Sequence, residues 1–85
     1  MPNISMFYGI VIYMYFDDHR PPHIHARYGD DEAAFDFNGD LLEGKMSRKQ
    51  QNLIRAWIDI HLDELKANWS IAIENGNIHK IEPLR

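Results

Sequence analysis

The hydrophobic period changes once along this chain, and the change falls at Ser47. Before it, the apolar residues fall in short strand-like runs, alternating at 23–28 and 32–38; after it they recur every 3.6 residues, the period of a helix. A run of strands followed by a run of helix predicts an α+β fold rather than alternating βαβ units. The expectation is an antiparallel meander of about four strands, covered on one face by a C-terminal long or kinked helix.

The first strand is expected over 10–16, where Ile10, Ile12, Met14 and Phe16 share one face and Val11, Tyr13 and Tyr15 the other. Both faces are largely apolar, which suits a central strand. Residues 1–8 read as a lead-in, with Gly9 permitting a turn or bulge. The second strand is expected over 23–28: His23, His25 and Arg27 alternate with Ile24, Ala26 and Tyr28. The His face should then point away from the core or toward its rim. Gly29–Asp30–Asp31 reads as a turn. Residues 32–38 form a third strand, with Ala33, Phe35 and Phe37 on one side, and Asn38–Gly39–Asp40 leads through a hairpin into a short strand at 41–43.

Ser47, with Gln50 three residues on, has the form of a capping box for a helical part over about 48–75. Its apolar stripe drifts. Leu53, Trp57 and Ile60 centre one face, whereas Leu62, Leu65 and Trp69 lie well round from it at about 100° per residue. That drift predicts a break near His61–Asp63, with Asp63 capping a second helix. Asn75–Gly76 should end the helical part, and residues 78–81 are a candidate fifth strand stopped by Pro83.

Eighty-five residues make one domain, 1–85, and bury roughly 60–65% of the unfolded surface. The absence of Cys removes disulfides and thiolate metal sites. A formal charge of −4 argues against a protein whose task is to coat nucleic-acid phosphates. No stretch has the length of a membrane span or the form of a signal peptide, so a cytoplasmic location is expected.

Most of the unusual chemistry lies in Asp17–Tyr28, which holds two carboxylates, three imidazoles and two guanidiniums around Pro21–Pro22. His23 and His25 at i, i+2 leave the same strand face, as two metal ligands on one strand must. Asp17, Asp18 or His19, across the proline bend, would complete a nitrogen and oxygen set for Zn, Ni, Mn or Fe. The plainer alternative is a structural turn in which Asp18 orients His19. A third reading makes His19, His23 or His25 a general acid or base and Arg20 or Arg27 an anion clamp, the residue types that RNA cleavage through the 2′-OH requires. On that reading His19, His23, His25 and Arg27 are the catalytic candidates, and RNA is the substrate. Asp18, Arg20, Tyr28 and His61 are the candidate binding residues. His61 lies inside the apolar stripe, as a core or interface histidine or as an extra group docking on the strand site. Lys45, Arg48 and Lys49 offer a patch for an acidic partner.

The pattern Tyr15–Phe16–Asp17–Asp18–His19–Arg20–Pro21–Pro22–His23–Ile24–His25–Ala26–Arg27–Tyr28, followed by Leu42–Glu43–Gly44 and by Trp57, His61, Glu64, Leu65 and Trp69, resembles the bacterial domain-of-unknown-function family forty-one-sixty. The resemblance covers nearly the whole chain. It implies a small cytoplasmic component of a toxin–antitoxin-like pair, whose partner is a small protein from a neighbouring gene. It carries over no catalytic residues. The leading expectation is therefore a partner-binding protein, with toxin as one role and a homodimer as a further assembly. The alternative is a small metal-binding enzyme or sensor using His19, His23 and His25 with Zn, Ni or Mn.

Overall fold

The computed structural model describes residues 3–16 and 20–85. Its order is β1 (Asn3–Phe7), β2 (Ile10–Tyr13), β3 (His23–Tyr28), β4 (Asp31–Asp36), β5 (Leu41–Gly44), α1 (Arg48–Ile60) and α2 (Leu62–Ile73). The strands form one antiparallel meander, β1-β2-β3-β4-β5. The α+β expectation holds, with the fifth strand at the opposite end of the chain from the one predicted.

The lead-in is a strand because Ile4 and Phe7 are core residues and Tyr8–Gly9 folds it back on β2. Both turn residues have positive φ, 51° and 80°, the signature of a type I′ hairpin. The first predicted strand is shortened, since pairing with β3 stops at Tyr13 opposite His25. Met14 beyond it is fully buried, and Phe16 packs against Trp69 at 5.7 Å. The apolar run continues as packing against α2 rather than as a ladder. β4 stops at Asp36, not Asn38, because the Asp36 carboxylate accepts the N–H groups of Asn38 and Asp40, each at 2.9 Å. That side-chain turn competes successfully with the strand.

Ser47 caps α1, accepting from the Gln50 N–H at 3.4 Å, and Gln51 reaches back to the Met46 carbonyl at 2.7 Å. The break falls at His61 as the stripe drift predicts. Its cap differs from the expectation: His61 itself is the N-cap of α2, without a side-chain cap bond, and Asp63 lies in the first turn with Glu64. Asn75, at φ 58°, and Gly76 end the helical part, the Gly76 N–H bonding the Ile71 carbonyl at 2.9 Å. Leu65 and Trp69 join Ile54, Trp57 and Ile58 in one core with Ile10, Ile12, Ile24 and Phe35.

Residues 78–81 are not a strand. Among the described residues one backbone hydrogen bond, Ile81 N–H to the Ile4 carbonyl at 2.8 Å, joins them to β1. Side chains hold the segment instead. The buried Asn68 amide donates to the His79 carbonyl at 2.7 Å and accepts from its N–H at 2.9 Å. The Trp57 indole N–H donates to the Glu82 carbonyl at 2.8 Å. Among the described residues no helix is long and apolar enough to cross a membrane.

Two substitutions test this construction. Asn68→Ala removes two part-buried hydrogen bonds to the His79 backbone, each worth about 0.5–1.5 kcal/mol, so urea denaturation should show a loss of about 1–3 kcal/mol, with faster amide exchange confined first to the C-terminal segment. Gly44 has φ 83°, and a β-carbon there would collide with the Glu32 carbonyl and sit 2.8 Å from the Ala33 Cα. Gly44→Ala should therefore cost about 2–4 kcal/mol.

Candidate functional site

Strand register builds the site. His25 pairs with Tyr13 on β2 and Ala34 on β4, His23 with Asp36, and Arg27 with Glu32. His23 and His25 therefore share a sheet face as expected, with ring centroids 5.0 Å apart and planes at 74°. What alternation did not reveal is their depth. His23 is fully buried and His25 partly so, although the opposite-face neighbours Ile24 and Ala26 are buried too. Of the His face expected to point away from the core or toward its rim, His25 and Arg27 keep some exposure and His23 does not: at its first residue β3 is enclosed on both sides. The enclosing group is Trp69 of α2, 5.3 Å from the His23 ring, with Phe16 and Phe37 packed on the same indole. Tyr15 stacks on His25 at 4.5 Å and 7°.

The His23 ring is oriented from behind. Its Nδ1 lies 2.9 Å from the Pro21 carbonyl oxygen. A carbonyl only accepts, so Nδ1 carries a proton, and in the neutral ring Nε2 presents the lone pair. That Nε2 is buried and has no hydrogen-bond partner among the described residues. The proline pair thus supplies the carbonyl that sets the imidazole tautomer. An imidazole held this way can accept a proton or ligate an ion.

The two guanidiniums are engaged. Arg20 is paired with Glu43. Arg27 donates to Glu32 Oε1 from Nε at 2.9 Å and from a terminal nitrogen at 2.5 Å, and lies 5.9 Å from the Tyr13 ring centre. Glu32, by hydrogen bond and then by charge, holds Arg27 still more firmly protonated than usual. A phosphate clamp would have to displace a carboxylate from either arginine. Tyr28 is at the far end of β3, exposed, its ring over Gly9. His61 does not join the strand imidazoles: its ring packs on Trp57 at 5.7 Å and its Nδ1 meets Glu64 at 2.6 Å. Asp17, Asp18 and His19 lie outside the described residues. Among those described, no group of three or more His, Cys, Asp or Glu could hold a metal.

Sequence reading missed Trp69 and Phe37 as site residues. They line a groove of about 370 Å³ with Pro21, Pro22, Lys66 and Ser70. The available signal was the aromatic at the shifted stripe of α2, which core packing explains equally well.

The model of a family described as domain of unknown function (DUF4160) matches residues 9–70, from the β1–β2 turn to the Trp69 end of the groove. No curated protein and no solved structure matches the chain.

Pro21 and Pro22 are exposed while Trp69 is buried, which separates their energetic roles. Pro21→Ala and Pro22→Ala, which keep the carbonyl, should each cost only about 0.4–1 kcal/mol through unfolded-state entropy. Trp69→Ala should cost about 3–5 kcal/mol in the same urea titration.

Proposed function

Since the chain belongs to the DUF4160 domain family, we propose that it is a cytoplasmic partner-binding protein, one component of a toxin–antitoxin-like pair, and that its small protein partner docks at the sheet end where the Tyr8–Gly9 and Gly29–Asp30 turns lie. The observation that supports this is a set of exposed interface-type side chains around a strained turn. Met6 is 63% exposed, Tyr8 62% and Tyr28 38%. Tyr and Met are enriched where proteins meet.

Tyr8 carries the argument. A type I′ turn favours Asn-Gly, and a bulky residue at φ 51° costs of order 1–3 kcal/mol. Its side chain returns little of that cost by burial. A local rule broken without a folding gain is the mark of a functional position. Gly9 matches this reading: its missing β-carbon lets the Tyr28 ring lie beside the turn, 3.2 Å from where that carbon would stand. Arg27 and Glu32 border the same end as a neutral pair, so the partner need not be strongly charged.

Tyr8→Asn separates stability from binding. The variant should melt higher, since Asn-Gly is the preferred turn, and should bind the neighbouring gene's product at least tenfold more weakly in calorimetry, about 1.4 kcal/mol. Met6→Ser should weaken the complex without changing the melt. Unchanged affinity in both variants, or no complex on co-expression and gel filtration, overturns the proposal.

A further inference from the structure

We propose that His23 and His25 form a two-imidazole site for a borderline first-row divalent ion, Zn²⁺ or Ni²⁺ in preference to Mn²⁺. The site is at the opposite end of β3 from the docking surface and stands independently of it.

The first ground is the state of His23. Its Nδ1–H is committed to the Pro21 carbonyl, and its Nε2 lone pair is buried with no hydrogen-bond partner among the described residues. A buried acceptor without a partner calls for an explanation, and an ion is one of the few that a lone pair accommodates. A backbone carbonyl on the far ring nitrogen is also the outer support that metal-binding histidines characteristically have, since it sets the tautomer and raises the basicity of the ligating nitrogen.

The second ground is convergence. Residues i and i+2 of a strand have side-chain origins about 6.6–6.8 Å apart. The two ring centroids are 5.0 Å apart, so the imidazoles lean together. Two imidazoles on one tetrahedral ion, with Zn–N near 2.0–2.1 Å, have centroids about 5 Å apart. The rings are held there before any ion arrives, His25 by the Tyr15 stack and His23 by Trp69.

The third ground fixes the class of ion. Two neutral nitrogens, without thiolate, favour the Ni²⁺ and Zn²⁺ end of the divalent series over Mn²⁺.

The test uses untagged, metal-stripped protein and Zn²⁺, Ni²⁺ and Mn²⁺ in turn. Long-range proton–nitrogen NMR of the apo protein should show His23 protonated on Nδ1. Zn²⁺ should then shift the His23 and His25 ring nitrogens together at one equivalent, with calorimetric binding tighter than about 100 μM and Mn²⁺ at least tenfold weaker. His25→Gln should weaken Zn²⁺ at least tenfold while the thermal melt stays cooperative. His61→Gln and His79→Gln should leave it unchanged. His25 is partly exposed, so its variant carries the test where His23→Gln does not fold. A His23 protonated on Nε2, Zn²⁺ shifts confined to His61 and His79, or equal Zn²⁺ heats in wild type and His25→Gln overturns the site. A signal from bound water on His23 Nε2 that persists at saturating Zn²⁺ overturns it as well.

Discussion

The contact between the Trp69 indole and the buried His23 imidazole, at 5.3 Å, is the seam that the two layers depend on. Phe16 arrives at the same indole from the end of the first β hairpin and Phe37 from the end of β4. Three separate stretches of chain therefore meet on one side chain of α2. At about 100° per residue Leu65, Asn68, Trp69 and Ala72 fall on the same face as Gln50, Ile54, Trp57 and Ile58, so the two helices bury one continuous stripe across the break at His61. The break costs an uncapped turn, and the burial of Leu65 and Trp69 offsets it.

The same seam divides the Arg20–Tyr28 segment into two environments. At its start the chain is enclosed, and the imidazoles are fixed by a carbonyl, by Tyr15 and by Trp69. At its end Arg27 and Tyr28 face solvent beside Met6 and Tyr8. An enclosed polar end supports precise placement of a few atoms, whereas an exposed apolar end supports contact over area. One strand can serve both because its side chains pass from the interior to the surface along six residues.

The edges of the sheet are managed differently. β1 is shielded by the C-terminal segment, which Asn68 and Trp57 hold in place through its backbone. β5 is exposed throughout and short, with an irregularity opposite Ala34 and Phe35, and it carries Glu43 beside Lys45. Short, bulged and charged edges resist pairing with other chains. The proposed docking surface accordingly lies at the turn end rather than along a strand edge.

How much of this was legible beforehand follows from the range of each interaction. The strand pattern around Ile24, Ala26 and Phe35, the Ser47 cap, the break near His61 and the Asn75–Gly76 stop all depend on residues within a turn or two of each other, so periodicity and cap chemistry reveal them. The shared face of His23 and His25 follows from the two-residue strand repeat. The burial of His23, the use of β1 as a strand and the clasp of Asn68 on His79 were not legible. Each depends on groups brought together by the fold: Trp69 lies 46 positions beyond His23, and Asn68 bonds across 11. A sequence pattern tells which way a side chain leaves its own strand. Only the tertiary structure decides what covers it, because that depends on which distant side chain has volume to fill at the same place.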